Sequence, residues 1–506
     1  MSVPAQQLIT APTVADLLQG YVDAPALPVT GIASDSRQVE TGFLFLATQG
    51  LASHGLDYID NALAAGAAAI AFDVSTAEAP ANVTVPVLAV VDLAAKLGEI
   101  ANRFYARPSE RLKVVGVTGT NGKTTVAWLI AQCDELLGES CGYLGTLGYG
   151  VGELAGAEGM TTPAAIELHG RLAEFCDQQA TRAAIEVSSH ALSQHRVDGV
   201  RFEAALFTNL TRDHLDYHAD MRQYFESKAR LFEEADVLHR IITIDSEWGA
   251  ELAARCGEDV VVVATEGNRA AEHASDKRPH VFVRTVDATE QGSEFIVDSS
   301  WGNGRVRLPL PGEFNVANAA LVLAQLLQRG VDFDAACDVL SQVSAPPGRL
   351  QRVAAAGVNV YVDYAHTPEA IEVSLTALRA HCSGNLFCVF GCGGERDTGK
   401  RPLMGRAAEQ HADTVVITND NPRNESPQKI IAEIVDGLRQ PEHAIVIEDR
   451  AAAIAWAIGQ ASAGDVVLLA GKGHETYQQV GDVRLLFSDL LVAQTALGIP
   501  VAGSGA

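Results

Sequence analysis

One short segment constrains this chain more than any other. Gly116 to Thr125 reads Gly-Val-Thr-Gly-Thr-Asn-Gly-Lys-Thr-Thr, between an apolar run and a helical one. A strand must feed such a turn and a helix must leave it, so the chain around it has to be α/β. Gly119 and Gly122 let the backbone curl until its N–H groups face an anion. The start of the helix adds positive partial charge. Lys123 then reaches terminal phosphates, and the Thr124 hydroxyl suits Mg²⁺. Val117 stands where the common phosphate loop carries its first glycine, so this is a variant loop.

The length of 506 residues allows about three domains. With 47% hydrophobic and 20% charged residues, there is ample material for several cores. Before the loop, short strands are predicted over 42–47, 68–73 and 87–91, with helices over 58–65 and 93–104. Ala106 to Ser109 reads as a linker broken by Pro108. From 113 on, apolar strands (113–117, 184–187, 204–208, 241–244, 260–263) alternate with helical patterns, including 123–137 and 315–328. This is the signature of a parallel sheet with crossover helices. A second hinge is expected at Ala345 to Gly348. Beyond it, strands over 358–363, 386–390, 414–418, 444–447 and 466–470 alternate with helices over 368–380, 427–438 and 450–460, a doubly wound pattern.

The formal net charge is −26, which argues against nonspecific nucleic-acid or anionic-membrane binding. No apolar run approaches the ~20 residues of a membrane span. The first residues show no secretory signal, so none is expected. The Cys residues at 133, 141, 176, 256, 337, 382, 388 and 392 form no Cys-x-x-Cys pair and read as reduced thiols, not a zinc site. No guanine-reading motif follows the loop, which disfavours a GTPase.

Acidic and histidine clusters follow two of the strands. Glu186, in Ile185 to His190, is a hard oxygen donor at a strand's C-terminal end, where ligands of open sheets gather. His214 and His218, in Thr208 to His218, read either as a metal pair or as one hydrogen-bonded and one surface histidine. Spacing alone makes Lys228 a solvated charge on an amphipathic helix.

Taken in order, Asp35-Ser36-Arg37, the phosphate loop, Thr161-Thr162-Pro163, Glu186 to His190, Asn209 to His218, Ser227-Lys228-Ala229, Pro311 to Ala319, Pro346 to Gln351, Asp363 to Pro368, Gly393 to Pro402, Asp420 to Pro427 and Gly471 to Glu475 resemble the Mur ligase family. These are the ATP-dependent amino-acid ligases of peptidoglycan synthesis. The resemblance implies three α/β domains: a small UDP-sugar-binding domain (1–107), a central ATP-binding domain with a P-loop ATPase-like parallel sheet (108–345) and a Rossmann-like amino-acid-binding domain (346–506). It implies that Gly119, Thr120, Asn121, Gly122, Lys123, Thr124 and Thr125, with Asn318, Arg349, Asp363 and His366, bind ATP. Lys123, Glu186, His214 and Lys228 take the catalytic roles. Mg²⁺ falls to Thr124, Glu186, His214 and a carbamate of Lys228.

The same resemblance assigns a UDP-linked muramoyl dipeptide to Ser34, Ser36, Thr161, Thr162, Ser188, Gln194 and Arg196. Asp420-Asn421-Pro422-Arg423 resembles the signature of members that add meso-diaminopimelate; lysine-adding members differ at the Arg position. Arg396, Asp420, Asn421, Pro422, Arg423, Gly471 and Glu475 are then the amino-acid contacts. The chain departs from the pattern at Met160, where an Asn is frequent, and at Leu51-Ala52-Ser53, where a His-Gln-Ala run is frequent. The implied protein is a cytoplasmic monomer acting on small molecules, without nucleic-acid or membrane partners.

Overall fold

The expected phosphate-loop strand is present as Lys113–Thr118, and the helix it feeds as Lys123–Leu136. The computed structural model describes residues 11–50, 53–156, 160–265, 277–289, 291–355 and 357–500. They fall into two compact units, drawn from Met1–Lys123 with Ile130–Val262 and from Thr124–Leu129 with Val263–Ala506.

The first unit holds two sheet systems. Strands Gly31–Ala33, Phe43–Ala47, Ala69–Asp73 and Val87–Val90 pair in parallel in that order. Their central strands are apolar on both faces, as parallel sheets covered on both sides require. Helix Leu93–Phe104 packs Leu93, Ile100 and Ala101 onto one face. In the second system, the strands run in the order Asp236–Thr243, Arg201–Phe207, Lys113–Thr118, Arg182–Glu186, Cys141–Gly145, all parallel, with Gly148–Val151 antiparallel beyond them. Val117 pairs with Glu186 and Thr118 with Phe207, so three neighbouring strands end together where the loop begins.

The second unit contains an antiparallel meander, His280–Thr289, Gly292–Ser299 and Gly302–Leu308, which the strand pattern of the sequence does not anticipate. Helix Glu313–Gln328 follows it and is buried almost all round, as apolar residues on every face require, with Asn315, Asn318 and Gln325 buried among them. The doubly wound sheet has strands Val358–Asp363, Val466–Ala470, Leu386–Phe390, Thr414–Ile417 and Ile445–Val446 in parallel, with Gln351–Ala355 antiparallel at one edge. Asp363 pairs with Ala470, Ala470 with Phe390 and Phe390 with Ile417, so the loops after these strands open at one edge. Two elements there are also unforeseen. Helix Lys400–His411 carries Pro402 in its first turn, where no intrahelical N–H is needed. Hairpin Tyr477–Val480 with Val483–Leu486 is the other. No helix among the described residues is long and apolar enough to cross a membrane.

Candidate active site

The loop of the first unit is shaped by two positive-φ glycines and by the segment after strand Arg201–Phe207. Gly119 has φ +150°, and a Cβ there would overlap Thr208 Oγ1. Gly122, with φ +84°, caps helix Lys123–Leu136, whose next residues Thr124 and Thr125 are buried. The Thr120 N–H donates to the Asn209 carbonyl (3.0 Å), the Asn121 N–H to Asn209 Oδ1 (2.9 Å), and Thr208 Oγ1 donates to the Asn121 carbonyl (2.6 Å). The Thr211 N–H donates to Thr120 Oγ1 (3.0 Å), which also meets Tyr224 Oη at 3.2 Å. Asn209 and Tyr224 were missed as site residues. Tyr224 had a signal, since it lies four residues before Lys228 on one helix face.

Lys123 Nζ donates to the carbonyls of Gly119 (3.1 Å) and Thr120 (2.9 Å). Lys228 overturns the spacing argument that made it a solvated charge. It is 1% exposed, on helix Met221–Glu233, and its Nζ donates to the Gly119 carbonyl at 2.8 Å. The helix buries its Tyr224, Phe225, Leu231 and Phe232 face, and Lys228 shares that face. Burial, reinforced by Lys123, holds its pKa well below the usual lysine range, which shifts the balance toward the amine.

Glu186 is fully buried, and its carboxylate accepts from Tyr143 Oη (2.6 Å), the Thr146 N–H (2.8 Å) and Thr146 Oγ1 (3.2 Å). A network runs outward from it. Thr162 Oγ1 donates to the Glu186 carbonyl (2.8 Å) and accepts from the Ser188 N–H (3.0 Å), and Thr161 Oγ1 meets Thr146 Oγ1 (3.2 Å). Ser188 caps helix Ser189–Ser193. Arg196 donates to the Thr162 carbonyl (2.8 Å) and to Gln194 Oε1 (2.6 Å), with Met160 Sδ 3.1 Å from its Nη1. Thus Glu186, Thr161, Thr162, Ser188, Gln194 and Arg196 are brought together.

The two histidines separate into one hydrogen-bonded and one surface side chain, the second of their two readings. His218 is buried and bonds Ser189 Oγ (3.0 Å). His214 keeps a side chain 45% exposed, with φ +52° and its ring 5.1 Å from that of His190. Among the described residues, no three His, Cys, Asp or Glu side chains form a metal-binding group. Among the described residues no disulfide joins the cysteines. Ser34 and Ser36 follow strand Gly31–Ala33 of the small sheet, Ser36 in a 3₁₀ turn capped by Asp35. Leu51 and Ala52 lie outside the described residues.

In the second unit a cavity of about 500 Å³ opens at the strand ends. Arg396, Asp420, Asn421, Arg423, Gly471 and Glu475 all line it, and Pro422 is buried between two of them. Burial pushes the Asp420 carboxyl up, while Arg450 and Lys472 pull it down. Asn421 Nδ2 donates to Glu475 Oε2 (2.9 Å), and buried Lys472 donates to both Asn421 Oδ1 (3.1 Å) and Glu475 Oε2 (2.8 Å). Arg423 has φ +51°. Its N–H donates to the Gln479 carbonyl (3.1 Å), and its own carbonyl accepts from the Gly481 N–H (2.8 Å), so the hairpin holds it. Lys472 was missed, although it stands inside the Gly471 to Glu475 motif.

His366 also lines the cavity, its Nδ1 2.8 Å from the Tyr364 carbonyl, and burial pushes its pKa down. The Arg349 guanidinium lies 4.9 Å from the Tyr364 ring centre. Asp363 accepts the Leu350 N–H (3.0 Å) and Ser374 Oγ (2.8 Å). Asn318 is buried beside Asn315 in helix Glu313–Gln328.

A phosphate-shaped loop and a charge-lined cavity, each at the C-terminal edge of a parallel sheet, define a nucleotide-dependent α/β enzyme of more than one substrate. Comparison narrows the class. Family models match residues 28–105 (Mur ligase family, catalytic domain), 117–326 (Mur ligase middle domain) and 348–473 (Mur ligase, glutamate ligase domain). The UDP-N-acetylmuramoyl-L-alanyl-D-glutamate–2,6-diaminopimelate ligase of Coxiella burnetii is 43% identical over 93% of this chain and 96% of its own. The enzyme of that name from Xanthomonas oryzae pv. oryzae is 45% identical over 93% and 94%. A solved structure bearing that name superposes with a TM-score of 0.73 at 32% identity, covering 96% of this chain and 99% of the other. The chain belongs to the Mur ligase family.

Proposed function

We propose that this chain joins meso-2,6-diaminopimelate to UDP-N-acetylmuramoyl-L-alanyl-D-glutamate at the expense of ATP. One observation carries the choice of amino acid. Arg396 and Arg423, with Lys400, share a cavity with Asp420 and Glu475, so paired arginine forks face two anions. Diaminopimelate carries two carboxylates and two ammonium groups and matches that pattern. Lysine lacks the second carboxylate and would leave an arginine unpaired.

The γ-carboxylate of the D-glutamyl residue attacks the γ-phosphorus of ATP, releasing ADP and leaving an acyl phosphate. The amine of diaminopimelate then attacks the acyl carbon and phosphate departs. Phosphate leaves readily where a carboxylate oxygen does not. No protein nucleophile is needed, and the chain acts by holding groups in place and neutralising charge.

Residues 119–125 would cradle the triphosphate, with the start of helix Lys123–Leu136 and the Lys123 side chain facing it, since the N–H groups of Thr120 and Asn121 are taken by Asn209. Asn318, Arg349, Asp363 and His366 would hold the rest of the nucleotide. The polar network of Thr161, Thr162, Ser188, Gln194 and Arg196 suits the muramoyl dipeptide, with Ser34 and Ser36 at its uridine end. The donor set fits Mg²⁺, a hard cation. The neutral amine of a buried Lys228 is the form that would add CO₂, and the resulting carbamate oxygen would join the Thr124 hydroxyl, Glu186 and His214 as the groups that would hold the ion. Mg²⁺ held there would supply charge neutralisation at the phosphates. Three working modules, 1–107, 108–345 and 346–506, each with its own substrate, and a monomer in the cytoplasm complete the proposal.

The test is phosphate release from ATP with the muramoyl dipeptide, comparing diaminopimelate with lysine. Release that depends on the dipeptide and on diaminopimelate is expected. Equal rates with lysine, or none with either, would reject the assignment.

A further inference from the structure

Two loops carry the arginines of the charged cavity, residues 391–396 and 418–425, and they touch backbone to backbone. The Gly394 N–H donates to the Asn421 carbonyl (2.9 Å), and a Cβ on Gly394 would overlap the Pro422 carbonyl. Arg423 Nη1 donates to the Gly394 carbonyl (2.6 Å). Outside the cavity the loops are joined a second time. The Glu425 carboxylate accepts the Glu395 N–H and takes both Nη1 and Nη2 of Arg401, each at 3.0 Å. Arg401 is fully buried on helix Lys400–His411. It also donates to the Gly393 carbonyl (3.2 Å) and to Glu433 (2.6 Å) on helix Pro427–Val435.

Neither Arg401 nor Glu425 lines the cavity. Yet one guanidinium reaches the loop of Arg396 through Gly393 and the loop of Arg423 through Glu425. A bidentate pair fixes distance and angle together, which a point charge cannot do. We propose that the Arg401–Glu425 pair is a positioning device that sets the separation of Arg396 and Arg423, and thereby the preference for an amino acid with two carboxylates. This rests on reading the cavity as the amino-acid site.

Glu425→Gln keeps the shape and removes the charge. Arg401→Lys keeps the charge and removes the fork. Glu433→Gln leaves the pair intact and serves as the control. Phosphate release is measured for each while ATP, the muramoyl dipeptide and the amino acid are varied separately. In both pair variants KM for diaminopimelate should rise about tenfold or more, and the kcat/KM ratio of diaminopimelate to lysine should fall by a similar factor. KM for ATP and for the dipeptide should stay within about twofold, as should every constant of Glu433→Gln.

A purely structural role would move all three KM values together, and that result overturns the proposal. So does an unchanged KM for diaminopimelate, or a raised one with the ratio intact, in a variant that melts like the parent. If Arg401→Lys does not fold, Glu425→Gln, on the surface side of the pair, decides. A parent enzyme that ignores diaminopimelate refutes the site itself. A responsive parent with unaltered variants refutes only the positioning role.

Discussion

At the scale of single residues, the phosphate loop is held by contacts that tolerate little change. Gly119→Ala must place a methyl group on Thr208 Oγ1 in a backbone region that L residues rarely adopt. It should abolish ATP binding, measured by calorimetry, while the fold seen by circular dichroism persists. Lys228→Ala should cut turnover by orders of magnitude, and short carboxylic acids should restore part of it by supplying the missing oxygen donor. No rescue, together with an unmodified mass for the parent protein, would count against the carbamate. Much of this site was legible residue by residue, because Lys123, Thr124 and Glu186 lie in segments whose chemistry is local. Lys228 was legible only through the family resemblance. Its burial depends on which face of helix Met221–Glu233 meets the loop, and an amphipathic pattern cannot place one lysine against a carbonyl from a distant strand. Asn209 escaped for the same reason, since its role is to hold the turn of another segment.

Elements were readable where apolar runs were continuous. Strands such as Leu386–Phe390 and Val466–Ala470 are buried on both faces and appear where expected. The meander from His280 to Leu308 mixes polar, charged and apolar residues, and no apolar run in it exceeds three residues, as in Val281 to Val283. Helix Ala165–Asp177 carries a buried His169 whose Nε2 meets the Asp198 carbonyl (3.0 Å) and which faces Glu99 and Asp198. Burial holds its pKa down at about 4. The unfolded chain therefore takes up this proton near pH 6.5 and the folded one only near 4, so stability falls as pH drops through that window and is unaffected above it. The loss should reach at most about 3 kcal/mol. His169→Gln should shrink the drop in urea midpoint between about pH 7.5 and about pH 4.5. Helix Asp489–Ala496 is tied down differently, by Asp489 against Arg450, both wholly buried, at 2.7 Å. Asp489→Ala strands a buried guanidinium and should cost about 3–5 kcal/mol, read as a lowered melting midpoint. Replacing both partners with apolar residues of similar size should recover most of it.

For the whole molecule, the charge of −26 is carried by a chain whose proposed ligands are themselves polyanions. Attraction must be local, confined to the helix start after the loop, Lys123 and the few cations that line the cavity. An ATP analogue at about a hundred times its Kd should add about 2.7 kcal/mol to stability, and the shift in melting midpoint should vanish in Gly119→Ala. The alternation of strands and helices conveyed the layered architecture well. It did not convey which distant segments meet, because that depends on pairing order and loop packing. The hairpin at Arg423 is one such meeting. Its backbone grips the arginine from outside the cavity, through Gln479 and Gly481. A change of turn length in that ribbon would re-aim the side chain without touching any wall of the cavity. Selection for a different amino acid therefore has a handle at the surface, where insertions are tolerated, as well as in the charged groups of the pocket floor.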